Sequence, residues 1–408
     1  MKTIGIIAEF NPFHNGHFFL LDECKKKVGA DKCIVIMSGD FVQRGAPAVI
    51  DKFTRARSAL LSGADLVIEL PVYYATASAE FFAQGAVTIL NRLGVCDHLC
   101  FGSESGDLST LSGISDILCD EPFDYKEALL AELKKGMSFP LARQKALGAA
   151  WPADEDLQEL LSNPNNILAI EYLKALKKTG SSMKPFTIKR MGSGYHDDGL
   201  SNFSSAQAIR NAVFEKDKAD ENTDSIRSSM PESAFELFSN YTYRYLTGDD
   251  FSGLLKYKLI SEKSIGYSDY LDVTEDLSKR ILANLDKFKS FTQFADILKS
   301  KNYTYTRISR ALIHILLGIK AKDMDEYKNG GFTGYVRILG QRKDAAPLLK
   351  KIHEASDLPV LDRLKDASDL LNDEQFRLFD ATLNSSSLYN MVSGKDIPSE
   401  YSLPPMII

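Results

Sequence analysis

Four short apolar runs recur through the first hundred residues, at 4–7, 33–37, 66–70 and 98–102, each followed by a polar turn and then a helical pattern. Runs of this length bounded by Gly or Pro read as buried strands. Strands that alternate with helices over short connections build a parallel sheet covered on both faces. The expected fold class is therefore α/β, a doubly wound parallel sheet. Helices are expected over 16–28, with Leu20, Leu21 and Cys24 on one face, and over 51–61 and 77–90. In such sheets ligands bind outside the carboxyl ends of the strands, where all four polar turns fall.

Beyond residue 107 the pattern turns mostly helical to about 178, and a further strand is expected at 186–190. That strand runs into the glycine-rich loop Gly192-Ser193-Gly194-Tyr195-His196-Asp197-Asp198. A chain of 408 residues exceeds one ordinary core, so two domains are expected. The composition becomes polar and charged after Glu215, which places the boundary there: a sheet domain over 1–215 and a mainly α-helical domain over 216–408. Within the second part, Asn329-Gly330-Gly331 marks a break before a strand-like run at 335–339.

Composition narrows the class. The chain is 44% hydrophobic and 25% charged, as in globular proteins, and no apolar run approaches the roughly 20 residues of a membrane span. No signal peptide is expected, and no membrane association. Cys24, Cys33, Cys96, Cys100 and Cys119 are few, odd in number and set among apolar residues. That pattern favours reduced thiols in a cytoplasmic protein. Cys96 and Cys100 lack the second ligand pair of a structural zinc site, and no metal ligand set is read. The net charge is −6, but residues 251–320 carry +5 and the remainder −11. This asymmetry permits a nucleic-acid face on the second domain. No protein partner is evident.

The sharpest local signal follows the first strand. Pro12 ends any regular element, Gly16 lets backbone approach a ligand, and His14 and His17 bracket it at the start of a helix. A helix N-terminus offers free N–H groups and a partial positive charge, so this turn suits phosphate. The two imidazoles add donors that offset charge on a leaving pyrophosphate.

His14-Asn15-Gly16-His17 resembles the His-x-Gly-His signature of the nucleotidyltransferase superfamily with the HUP-type fold. Ser204-Ser205-Ala206-Gln207-Ala208-Ile209-Arg210 resembles its downstream Ser-Ser-Thr-x-x-Ile-Arg motif, with Ala206 in place of Thr. Two further stretches, Ser38-Gly39-Asp40-Phe41-Val42-Gln43-Arg44-Gly45 and residues 192–197, are similar to the bacterial tRNA(Met) cytidine acetate ligase family. The resemblance implies an enzyme, an AMP-forming ligase. Acetate attacks ATP to give acetyl-adenylate, and the wobble cytidine of elongator tRNA(Met) then receives the acetyl group as N4-acetylcytidine.

Carried over by motif, the turn of Ile7, Ala8, Glu9, Phe10, Asn11, Pro12, Phe13, His14, Asn15, Gly16, His17 and Leu20 would cradle ATP. His14, His17 and Arg210 would be catalytic, with His14 and His17 on the phosphates and Arg210 at the β/γ end. Gly102 would admit the adenosine, Asn165 would bond the nucleotide, Arg190 and Met191 would lie at its base or ribose, and Ser205 would touch phosphate beside an N-capping Ser204. Mg2+ is expected from the ATP chemistry, with no dedicated ligand set visible. Gln43, Arg44, Lys52 and Arg55 form a basic cluster that by topology faces the same crevice and would meet acetate or the RNA. In the second domain Lys299, Lys301, Tyr303, Tyr305, Arg307 and Arg310 interleave basic and aromatic residues. Such a patch would bind RNA phosphates and stack a base, or it is the outer side of an amphipathic helix over 308–319. His314 is expected to be a core histidine. The alternatives to the ligase are a small-molecule adenylyltransferase and a non-catalytic nucleotide-binding protein. The basic second domain argues against the former, and intact His14, His17 and Arg210 argue against the latter.

Overall fold

A computed structural model describes residues 1–137, 139–151, 157–191, 202–215, 219–301, 303–395 and 400–408. The glycine-rich loop 192–198 and residues 216–218 at the expected domain boundary lie outside the described residues. Five parallel strands form the frame: β1 (Thr3–Ala8), β2 (Lys32–Ser38), β5 (Leu66–Leu70), β6 (His98–Ser103) and β7 (Lys184–Lys189). A two-stranded hairpin, β3 (Phe41–Val42) with β4 (Ala46–Pro47), stands at the carboxyl end of β2. The frame runs β5-β2-β1-β6-β7. The chain thus winds outward from β1 to β5, then returns to the other side of β1. This reversal opens a crevice between the carboxyl ends of β1 and β6, where doubly wound sheets hold ligands.

The residues of β2 show why the sheet is covered twice. Cys33, Val35 and Met37 join one apolar cluster, Ile34 and Ile36 the other, and all five are fully buried. The helices Asn15–Val28 and Lys52–Leu61 cover the first face through Leu21, Cys24, Ala56 and Leu60. Ala79–Arg92 and Pro164–Lys178 cover the second through Ala83, Val87, Ala169 and Leu173. A strand apolar on both sides is stable only between two such layers.

The far end of the chain departs from expectation. β8 (Val336–Gln341) pairs antiparallel with β5 and extends the sheet. Two short strands, β9 (Val360–Leu361) and β10 (Met406–Ile407), pair parallel with β8. Residues assigned to the second domain therefore complete the sheet of the first, and the boundary drawn at 215/216 is corrected to that extent. The physical reason is that β5 is buried throughout, and without β8 its edge would present unpaired backbone groups.

Between the two sheet-forming segments, the helices Ser252–Ser261, Glu275–Asn284, Phe291–Leu298 and Tyr305–Leu317 enclose a separate core of Leu255, Leu277, Phe294 and Leu312. Phe41 of the hairpin is part of that core. Gly45 has φ +72, and a Cβ there would overlap the backbone of Arg310. Ser309 donates to the Gly45 carbonyl at 2.7 Å, and Tyr389 donates to that of Ala48 at 2.9 Å. The helical layer is thereby seated on the hairpin, over the carboxyl end of β2.

Candidate active site

The turn after β1 is built on a local conflict resolved by packing. Phe10 takes φ +48, a left-handed conformation that costs a non-glycine residue about 1–3 kcal/mol. It is held there edge-on to Phe13 at 4.8 Å and to His17 at 4.9 Å between centroids. His14 is the N-cap of the helix Asn15–Val28. Its Nδ1 accepts from Gly16 N–H at 3.0 Å, and the Nδ1 of His17 accepts from His14 N–H at 3.3 Å. Two imidazoles thus form a reciprocal cap of the kind Ser and Glu usually make. The rings stack 3.7 Å apart. A Cβ on Gly16 would meet His14 Cε1 at 2.9 Å, so any larger residue there displaces the ring.

This cap fixes the protonation of both rings. An Nδ1 that accepts carries no proton, so each neutral ring has its proton on Nε2. Burial, with the Arg190 and Arg210 guanidiniums nearby, lowers the pKa of His14 to about 3. Burial, His14 and Arg190 hold His17 well below the usual imidazole range. The pair therefore meets an anion as two neutral N–H donors.

Both histidines line a cavity of about 770 Å³ at the crevice between β1 and β6. Ile7, Ala8, Glu9, Asn11 and Leu20 line it from the same turn and helix, with Gly102, Asn165, Arg190, Ser205 and Arg210 from elsewhere in the chain. A Cβ on Gly102 would meet Arg190 Cγ at 3.2 Å, so this glycine makes room for the arginine. Arg210 donates to the Asn11 carbonyl and to Gln207 Oε1, both at 2.5 Å, which ties the helix Ala206–Phe214 to the histidine turn. One cavity wall is thus built from two distant parts of the chain.

The family profile described as HIGH Nucleotidyl Transferase matches residues 1–401. A Clostridium perfringens protein named tRNA(Met) cytidine acetate ligase is 38% identical over the full length of both chains. A Clostridium acetobutylicum protein of the same name is 39% identical over 96% of each. The chain belongs to the tRNA(Met) cytidine acetate ligase family. Among solved structures, apo Thermotoga maritima TmcAL superposes with a TM-score of 0.93 at 31% identity, covering both chains completely. The same protein bound with alpha-thio ATP superposes at 0.91.

Several residues expected to touch ligand in this ligase fold sit elsewhere. Phe10 and Phe13 are buried beneath the histidines and, with Pro12, do not line the cavity; they shape the turn. Asn15 donates to the carbonyls of Asn202 and Ser228, both at 2.8 Å, and fastens the turn to the second motif. Ser205, not Ser204, is the N-cap of its helix, accepting from Ala208 N–H at 3.1 Å. Ser204 is buried and accepts from the Ser229 hydroxyl at 3.0 Å. Met191 is exposed and, with Gly16, borders a smaller recess beside the cavity.

Lys52 and Arg55 are corrected most. Both are fully buried. Arg55 donates to the carbonyls of Glu9 at 2.7 Å, Ser38 at 3.1 Å, Ile50 at 3.0 Å and also Gly39, which clamps the turns after β1 and β2 together. Lys52 lies 2.9 Å from Glu69 and 3.0 Å from Glu400, and donates to Ser386 at 2.7 Å. Neither faces the crevice, because a charge inside the protein has to stay with its carboxylate or carbonyl partners. Gln43 and Arg44, by contrast, line the cavity from the hairpin. Arg310 pairs with Asp272 at 2.9 Å, and Arg307 stacks on Tyr303 at 5.1 Å; neither lines the cavity.

Sequence reasoning missed Glu104 and, apart from Tyr305, the cavity roof. Glu104 accepts from Asn165 Nδ2 at 2.6 Å and from the backbone N–H of Asn166 at 2.8 Å, so it orients Asn165 while capping the helix Pro164–Lys178. The roof consists of Leu246, Thr247, Gly248, Phe291, Thr292, Tyr305, Thr306 and Ser309 from the helical layer. Scattered hydroxyls without a motif give no signal in sequence.

Proposed function

We propose that this protein ligates acetate to the wobble cytidine of elongator tRNA(Met) at the expense of ATP. Acetate attacks the α-phosphorus, pyrophosphate leaves, and acetyl-adenylate forms. The cytidine N4 amine then takes the acetyl group and releases AMP. Here the neutral Nε2–H groups of His14 and His17 donate to the phosphates as charge moves onto the departing pyrophosphate, and Arg210 neutralises its outer end. Preorganised donors of this kind stabilise the transition state without having to reorganise. Gly102, Asn165 and Arg190 take the adenosine side, where the Thermotoga neighbour with its alpha-thio ATP supports nucleotide binding.

The reading is carried by one observation: a cavity whose floor is the two-histidine phosphate turn and whose roof is a second, helical layer. An adenylyltransferase for small molecules has no use for that roof. Mg2+ would arrive on the ATP phosphates, since no group of three or more His, Cys, Asp or Glu able to hold a metal occurs among the described residues. Arg307, half-buried in the first turn of its helix and set against Tyr303, would contact RNA phosphate. A tRNA substrate puts the protein in the cytoplasm, and no described helix is long and apolar enough to cross a membrane.

Incubation with ATP, labelled acetate and bulk tRNA tests the function directly. Label is expected on a single tRNA species, as N4-acetylcytidine. Label on no RNA, or on a small molecule instead, would remove the ligase reading.

A further inference from the structure

The cavity has two halves of different chemistry. One half holds the histidines, Arg190, Ser205 and Arg210, groups that suit a polyanion. The other lies between the hairpin and the helical roof, and its polar groups are the hydroxyls of Thr247, Thr292, Tyr305, Thr306 and Ser309 with the Gln43 amide and one cation, Arg44, on the hairpin. Mostly neutral donors and acceptors beside an aromatic ring suit a nucleobase, and a single guanidinium suits the phosphate that flanks it.

Glu9 stands at the seam between the halves. It is the residue after β1, and its Oε1 accepts from the Gln43 N–H of the hairpin at 2.8 Å. It is also the only carboxylate among the described residues that line the cavity. A carboxylate repels triphosphate, so its side chain is no phosphate ligand. The transfer step does require something it supplies. A cytosine amine that attacks a carbonyl must lose a proton, and the other titratable groups there are arginines, the Tyr172 and Tyr305 phenols, which burial holds in the protonated form, and two rings whose Nδ1 atoms are engaged and whose Nε2 atoms already carry protons.

We propose that the roofed half of the cavity receives the flipped-out cytosine and that Glu9 is the general base of acetyl transfer. The proposal rests on the ligase reading above and deepens it. The N4 lone pair attacks the acetyl carbon of acetyl-adenylate and forms the new C–N bond. The N4 proton passes to the Glu9 carboxylate and from there to water. The bond between the acetyl carbon and the phosphate oxygen breaks, and AMP leaves with that electron pair. Tyr305, on the opposite wall, stacks on the base.

The test separates the two half-reactions in the full-length protein. Glu9→Gln keeps an oxygen to accept from Gln43 but takes up no proton. It is expected to form acetyl-adenylate within about threefold of the unmodified rate, measured as acetate-dependent exchange of labelled pyrophosphate into ATP. Its single-turnover acetyl transfer to tRNA is expected to fall about 100-fold, the scale of a lost general base. Tyr305→Ala is expected to raise the KM for tRNA at least fivefold and leave the exchange rate alone. If Glu9→Gln slows exchange as much as transfer, Glu9 serves the nucleotide half and the proposal is overturned. Unchanged transfer overturns it too. Failure of the ligase reading itself looks different: the unmodified protein would then label no tRNA.

Discussion

Replacing His17 by alanine is expected to slow acetyl-adenylate formation about 10³-fold while leaving tRNA affinity within about twofold. Loss of one preorganised donor to a developing oxyanion costs about 10²–10³ in rate. His17 is worth the upper end of that range because its ring also supports its neighbour. It stacks on His14 at 3.7 Å and accepts from the His14 backbone N–H, so its removal frees the second donor to swing. Loss of the capping bond itself costs only about 1 kcal/mol, too little to unfold the chain. The acetate-dependent pyrophosphate exchange rate and a tRNA binding curve, measured on the same preparation, check the prediction. Parallel loss of exchange and binding would mean that the turn serves the fold and not the phosphates.

The same pair has a pH signature. With a folded pKa of about 3 for His14 and one well below the ordinary value for His17, neither ring gains a proton as the folded protein passes through pH 6.5. Adenylation by the free enzyme should therefore show no imidazole limb between pH 8 and pH 6. Stability should move instead. The unfolded chain takes up these protons below about pH 6.5 and the folded chain does not, so stability falls as pH falls across that window. For His14 alone the loss reaches about 2 kcal/mol by pH 5. His14→Gln should flatten that slope in urea titrations at pH 7 and pH 5.

The frame of the fold is legible in the sequence because it depends on short-range signals. The expected runs at 33–37 and 66–70 appear as β2 and β5, and the histidine turn opens a helix where Pro12 and Gly16 imply one. His314, read as a core residue, is buried with its ring nitrogens 2.9 Å and 3.0 Å from the carbonyls of Leu271 and Thr76. What failed depends on distant partners. Lys52 and Arg55 sit in the first turn of a helix, where charge ordinarily faces water. Glu69, Glu400, the Ser386 hydroxyl and four backbone carbonyls make their burial possible, and Ser386 and Glu400 lie more than 300 residues along the chain. The return of β8 to the sheet has the same character, since a six-residue strand carries no mark of which edge it will join.

Replacing Arg337 by methionine is expected to destabilise the folded protein by about 3–5 kcal/mol, the cost of breaking a buried ion cluster from one side. Arg337 is buried and reaches Glu69 at 2.6 Å and Glu400, while Lys52 holds the same two carboxylates from the other side. Burial works against an ionised Glu400, yet Lys52 and Arg337 bring its pKa down to about 2. Burial raises Asp40, the next acid of the cluster, against the pull of Lys52. Without Arg337, one ammonium is left among Asp40, Glu69 and Glu400, and a carboxylate must take up a proton or draw in water. The cluster joins four segments: Lys52 after the hairpin, Glu69 on β5, Arg337 on β8 and Glu400 before β10. Its loss should therefore lower the urea midpoint of the whole sheet and not of one edge. Circular dichroism at neutral pH reports this. Adding Glu400→Gln to Arg337→Met removes one of the stranded charges and should recover part of the loss. A double variant no more stable than Arg337→Met alone would show that the arginine acts by packing, with its charge incidental.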